Sequence, residues 1–193
     1  MKRIWIAALC LLLLSGCGKA PQGATLHERY AAVSGAEIVA EITVHLPDET
    51  RQYQVNCDYD AENGAEVVVT SPPELAGLQV TVSPGDLTLS YDDMTLSAGS
   101  METVTPANCL PWLLRAAASG YVLEEGRETL GDRECLRMAF DTTGADGKKV
   151  LCTAWFDRET LSPIYSEFSL NGELQITVKV ISFTEETEAT QEP

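Results

Sequence analysis

Histidine is nearly missing from this chain. Among 193 residues there are two, His27 and His45, and neither stands in a spacing that chemistry would use. His27 is followed by Glu28, but neighbouring helical residues do not share a face. His45 falls on the polar side of an alternating strand. Both read as ordinary surface residues. There is no Gly-x-Ser-x-Gly, no His-Glu-x-x-His and no glycine-rich phosphate loop. Without a positioned acid, base or nucleophile the chain is not expected to be an enzyme. No CxxC occurs, which excludes a zinc knuckle and a thioredoxin-like site. Asp58-Tyr59-Asp60 and Asp92-Asp93 lack the calcium-loop spacing with its terminal Glu. They read as solvated loop charge, and no metal site is expected. Basic residues are scarce too, 13 against 29 acidic ones, so no basic stripe exists for nucleic acid. Long apolar runs are absent after residue 14.

The one such run that is present stands at the start. Met1-Lys2-Arg3 precedes eleven apolar residues, Ile4 to Leu14. At 1.5 Å per residue these reach about 16 Å, roughly half a bilayer core. That suits the central segment of an export signal, not a spanning helix. The run closes on Leu14-Ser15-Gly16-Cys17, which resembles the lipobox of bacterial lipoproteins. The resemblance implies cleavage between Gly16 and Cys17 and a diacylglycerol on the Cys17 thiol, with an added acyl chain such as palmitate. No other cofactor is expected. Two or more acyl chains anchor stably where one does not. Removing residues 1–16 leaves 177 residues with 11 basic and 29 acidic side chains, a formal charge of −18. Anionic headgroups repel such a body, so the lipid is expected to make the membrane contact. The expected location is the extracytoplasmic face of a cell membrane.

Residues 17–25 read as a lipidated tether and 184–193 as a disordered acidic tail. Between them, 26–183 form one domain, mostly β. A short helix is expected at about 26–33. Ile38, Ala40, Ile42, Val44 and Leu46 then alternate with polar residues, a half-buried strand. Tyr53, Val55, Cys57 and Tyr59 repeat the pattern. Around Ser83-Pro84-Gly85-Asp86, three apolar pairs share one face: Val82 with Leu87, Val80 with Leu89, and Leu78 with Tyr91. Near Asn171-Gly172, a three-residue loop pairing Phe168 with Leu174 and Ile164 with Val178 is preferred to a two-residue turn, which sets Phe168 opposite Gln175. Glu62-Asn63-Gly64 admits the same kind of loop, pairing Tyr59 with Val67 and Cys57 with Val69.

Pro106 and Asn108 open a second helix with the stripe Leu110, Leu113, Leu114 and Ala117, which Gly120 stops. Further strands are expected at about 121–127, 133–141, 149–157, 161–169 and 174–183. Trp112 and Trp155 read as core anchors.

Four cysteines remain after Cys17: Cys57, Cys109, Cys135 and Cys152. A turn at Asp146-Gly147 sets Cys152 opposite Asp141 and leaves Cys135 about 20 Å away along the strand, too far for a disulfide. A bridge from Cys57 to another strand or to Cys109, and four free buried thiols, both stay open.

About ten antiparallel strands, with one helix before the first and another after the sixth or seventh, resemble the LolA/LolB-like superfamily of bacterial lipoprotein carriers. The segment Ala154-Trp155-Phe156-Asp157-Arg158-Glu159-Thr160-Leu161-Ser162-Pro163-Ile164 looks like that family's strand–turn–strand unit. The resemblance spans about 26–183. It implies an α+β fold: a curved, incomplete β-barrel with helices across its concave face. It also implies an apolar cavity of roughly 300 Å³ or more, lined by residues such as Ile42, Val44, Tyr53, Val55, Trp112 and Leu113. The chain departs from the carriers in its lipobox, in its cysteines and in lacking a matching membrane-inserting loop. Two roles follow as expectations. One is a tethered module that holds an apolar ligand or the acyl chains of a lipid or lipoprotein. The other is an envelope regulatory or interaction lipoprotein without cargo, with a filled interior and an outer patch for a partner protein.

Overall fold

A computed structural model describes residues 22–187 apart from 85, 93, 101–102 and 144–146. Gly16 and Cys17 lie outside the described residues. Eleven strands form one antiparallel sheet: β1 Val33–His45, β2 Thr50–Asp60, β3 Gly64–Ser71, β4 Gln79–Ser83, β5 Asp86–Tyr91, β6 Met94–Ser100, β7 Tyr121–Leu130, β8 Arg133–Asp141, β9 Val150–Asp157, β10 Pro163–Leu170 and β11 Glu173–Thr187. Helix α1, Gln22–Ala31, precedes β1, and α2, Cys109–Ser119, follows β6. The spatial order is β6-β5-β4-β3-β2-β1-β11-β10-β9-β8-β7. β1 pairs with β11, so the first and last strands meet at the centre and the sheet ends in β6 and β7. The sheet does not close, and its register shifts, as at Val39/Ala40 and Leu87/Thr88, bend it locally. This is the expected incomplete barrel.

The period-two patterns set which face is inside. Ile38, Ala40 and Ile42 of β1 are buried, as are Val55, Cys57 and Tyr59 of β2. On the far half of the sheet Phe140, Cys152, Phe156 and Phe168 are fully buried. Both helices pack over that face. α2 presents Leu110, Leu113, Leu114 and Ala117, the expected stripe, all at 2% exposure or less. Each such leucine contributes about 1.5–3 kcal/mol of burial. Pro111 sits in the first turn, where no N–H is required.

The tether and tail boundaries need correction. α1 begins at Gln22, four residues inside the expected tether, and β11 runs to Thr187, into the expected tail. Both extensions are held by distant carboxylates that no local pattern shows. Glu125 of β7 accepts the N–H groups of Gln22 and Gly23 at 2.9 and 3.2 Å, capping α1. Glu185 of β11 takes Arg29 of α1 in a fork at 2.6 and 3.1 Å. Tyr30 donates its hydroxyl to the Leu161 carbonyl at 2.9 Å.

Three hairpin registers also differ. Val82–Leu87 and Val80–Leu89 pair as expected, but Leu78 falls outside β4 and Tyr91 pairs with Met94. Asn171-Gly172 is a two-residue turn after all, with Leu170 opposite Glu173. Asn171 and Gly172 both take positive φ, 53° and 88°, as a primed turn requires. A bulge at Gln175 then brings Phe168 opposite Ile176, so the apolar register survives without the longer loop. At Glu62-Asn63-Gly64, Tyr59 pairs with Ala65 and Cys57 with Val67. That is two residues from the expectation, which leaves every side chain on its face. Asp60 fixes this turn by accepting the N–H groups of Glu62 and Asn63 at 2.8 and 2.7 Å. Those bonds, that of Asn63 foremost, hold its carboxyl below the usual range.

All four described cysteines are free and buried. Cys152 lies opposite Phe140, one residue from the expected partner Asp141, and Cys135 lies opposite Asp157. Burial pushes the Cys57 thiol up to about 12 and raises those of Cys109 and Cys152 as well. The folded protein should therefore resist a thiol reagent at pH 8 and react fully once denatured. A fast-reacting thiol among these four in the native protein would contradict this packing.

Candidate functional site

The helices cover one half of the concave face, from β7 round to β11. Over β2 to β5 the cover is thinner, and there an apolar cavity of about 260 Å³ opens. Its floor is Ile42 of β1, Tyr53 and Val55 of β2, Val67 and Val69 of β3, Val80 of β4 and Leu89 of β5, with Leu78 alongside. Its roof is Leu75 from a short 3-10 turn, Pro73–Leu75, together with Pro106 and Ala107 from the segment before α2.

The floor follows from register. Ile38, Cys57, Val67, Val80, Leu89 and Leu96 stand directly opposite one another across β1 to β6. One such ladder places every member on the same face. The roof is fixed by hydrogen bonds. The Gly77 N–H donates to the Val69 carbonyl, and the Val69 N–H to the Leu78 carbonyl, each at 2.9 Å. These fold Leu75 back over the strands. Asn108 is fully buried. Its Oδ1 accepts the Thr105 N–H at 2.7 Å and its Nδ2 donates to the Thr103 carbonyl at 3.0 Å. That carboxamide pins the strap carrying Pro106 and Ala107.

No charged side chain lines the cavity, and its lining is almost wholly apolar. It can take an apolar group and offers little for acid–base work. At 260 Å³ it falls slightly short of the 300 Å³ expected and of the usual range for whole drug-sized ligands, about 300–1,000 Å³. Such a space suits one apolar chain end or ring rather than several acyl chains.

The structure brings together three of the six pocket residues implied by the resemblance. Ile42, Tyr53 and Val55 line the cavity. Val44 is half-buried and lies beyond its lining. Leu113 is fully buried in the core beneath α2. Trp112 belongs to a different, partly polar cleft with Arg115, Tyr121 and Asp141. The reason is the position of α2, which covers the β9–β11 half and leaves only the strap before it over the cavity. Val67, Val69, Val80 and Leu89 were visible in the strand patterns, whereas Leu75, Pro106 and Ala107 come from irregular segments without a period.

The histidines are not plain surface residues. His27 is half-buried between α1 and α2, its Nδ1 at 2.6 Å from the Ala117 carbonyl and its ring 6.0 Å from Phe140. A carbonyl can only accept, so Nδ1 carries the proton there. His45 is also half-buried, with Nε2 at 3.4 Å from the Thr177 hydroxyl. Trp155 is 7% exposed, yet its neighbours Arg137 and Tyr165 place it on the convex face. Its Nε1 donates to Glu128 at 3.0 Å and its ring lies 5.4 Å from Tyr165. Among the described residues no cluster of three His, Cys, Asp or Glu could hold a metal ion. No described helix is long and apolar enough to cross a membrane.

No family model and no curated protein sequence matches the chain. Solved structures do. An uncharacterized conserved protein from Thermus thermophilus is 8% identical at a TM-score of 0.52, covering 87% of this chain and 88% of its own. A DUF1329 family protein from Desulfovibrio piger is 11% identical at 0.50, covering 88% and 94%. These likenesses show a shared fold over nearly the whole domain. A LolA superfamily protein from Nitrosomonas europaea, 11% identical, covers 86% and 94% at a TM-score of 0.46. The architecture implied by the LolA/LolB-like resemblance is the one into which the chain folds.

Proposed function

We propose that this protein is an exported lipoprotein, tethered through acyl chains on Cys17, whose half-barrel holds a single apolar group in the cavity over β2 to β5. The carrying observation is the cavity: an uncharged, apolar space over the strands, floored by β1 to β5 and roofed by Leu75, Pro106 and Ala107. The N-terminal signal and lipobox support the tether and an extracytoplasmic location at a cell membrane. The charge of −18 supports a body held off the anionic surface by its anchor. An acyl chain end is the ligand whose shape and chemistry fit best. A purely interaction-based role predicts a filled interior, which the cavity does not favour.

Ala107 offers the cleanest test. It is half-buried in the strap and faces the cavity. Ala107→Trp should fill the space, lowering affinity for a fluorescent fatty acid at least tenfold, about 1.4 kcal/mol. The melting temperature should hold or rise, since the indole replaces a void. Equal binding by both proteins, or no binding by the unmodified one, would reject the cavity as the ligand site.

A further inference from the structure

The cavity has a direction. Along the strands its floor spans three rungs. The outermost sets Ile42 opposite Tyr53, and the next sets Val55 opposite Val69 with Leu78 alongside. The innermost is Val67, Val80 and Leu89. Exposure falls the same way across β2 to β4. Leu75 of the roof is 37% exposed, and Tyr53 and Leu78 are half-buried, whereas Val67 and Val80 are 2% and 4% exposed.

The two ends differ in chemistry. β2 pairs with β1 without a register shift, so Arg51 stands on the same face as Tyr53, one rung further out. It is exposed, outside the lining, and held by Glu49 at 2.5 and 2.8 Å. The outer rim is therefore polar. Inward of Val67 the next rung is Tyr59, Ala65, Val82 and Leu87. All four are 8% exposed or less, and none lines the cavity. The backbones close in there as well, since a Cβ on Gly64 would strike the Val82 carbonyl. The inner end is shut and apolar.

On the reading of this cavity as the ligand site, we infer that it selects straight-chain acyl groups of about nine carbons, the polar head left at the Arg51 rim and the chain end stopped by Val67 and Val80. A methylene takes about as much room as a water molecule, roughly 30 Å³. The cavity's 260 Å³ therefore holds about nine. A shorter chain leaves a void whose walls lose their contacts. A longer chain either stays partly in water at the rim or forces the inner rung apart, which close packing resists. Each methylene that enters raises affinity about fourfold. Each one left outside adds nothing. Val67 and Val80 thus set the length at which the gain stops.

The test uses straight-chain fatty acids of six to sixteen carbons, displacing a fluorescent fatty acid from the full chain in phosphatidylcholine vesicles. Protein-free vesicles correct for partitioning, so affinities refer to free fatty acid. For the unmodified protein, affinity should rise about fourfold per carbon and level off near nine carbons. Val67→Ala deletes two carbons at the inner end and should move the break to about eleven. Val80→Ala should do the same, and it carries the test if Val67→Ala does not fold. Val67→Phe adds four carbons there, so affinity should no longer rise along the series. A merely structural role for these valines would weaken every length alike and leave the break near nine. That result would overturn the length limit. So would an unbroken rise to sixteen carbons in a protein whose binding Ala107→Trp abolishes. Either outcome leaves the cavity standing as the ligand site. No binding at any length, or binding that Ala107→Trp leaves unchanged, removes the cavity as the site and the length limit with it.

Discussion

Cys17→Ala should move the protein from the membrane fraction to the soluble fraction and abolish its labelling by a clickable palmitate analogue. The expected change is large because, with the signal removed, neither the charge nor the described structure supplies a second membrane-holding device. The apolar run before Cys17 is about half a bilayer long, the described residues contain no spanning helix, and the chain carries more than twice as many acids as bases. Each buried methylene of an acyl chain is worth about 0.8 kcal/mol, and two chains suffice for a stable anchor. Loss of the thiol removes the proposed attachment site of the first lipid. The palmitate readout separates two outcomes that fractionation alone confuses. A variant that stays with the membrane yet takes no label is retained by an uncleaved signal. A variant that stays and is still labelled refutes Cys17 as the attachment site.

Gly64→Ala should be the most disruptive single methyl group in the domain. Gly64 opens β3 with φ at +112°, and a Cβ built there would lie 1.8 Å from the Val82 carbonyl oxygen. That oxygen belongs to backbone and cannot swing aside. Ala65 pairs with Val82 at this point, so relieving the clash opens the β3–β4 ladder, and with it the cavity floor at Val67, Val69 and Val80. The expected cost is about 3 kcal/mol or more, the sum of an unfavourable φ and a displaced strand. For a domain of this size that lowers the melting temperature by roughly 6–12 °C. Gly77→Ala is the control. Its φ is +89°, but no atom lies within 4 Å of a built Cβ, so it carries only the strain of a left-handed residue, about 1–2 kcal/mol. Equal destabilisation by the two would show that φ, and not the approach of Val82, decides. Fatty-acid binding should be lost in Gly64→Ala and kept in Gly77→Ala.

Much of the strand architecture can be read locally because a period of two needs no tertiary information. Ile38, Ala40 and Ile42, or Val55, Cys57 and Tyr59, declare a buried face through alternation alone. The α2 stripe does so at helical spacing, and Asn108 and Gly120 mark its ends. Registers are less legible, since a shift of two residues preserves every face. That is why the Asp60 turn closes two residues from its expected register, and why a bulge at Gln175 rescues a turn that simple counting rejects.

The sequence by itself determined the short apolar run that ends at Cys17, the surplus of acid, the alternating strands and the two helices, because each is written in neighbouring residues. Only the tertiary structure decided that the four described cysteines are buried and free, that Glu125 and Glu185 clamp α1, that His27 bridges two helices, and that α2 covers one half of the sheet. The same placement sets the cavity over β2 to β5. These depend on contacts between residues tens of positions apart, and no local period records which distant segments meet.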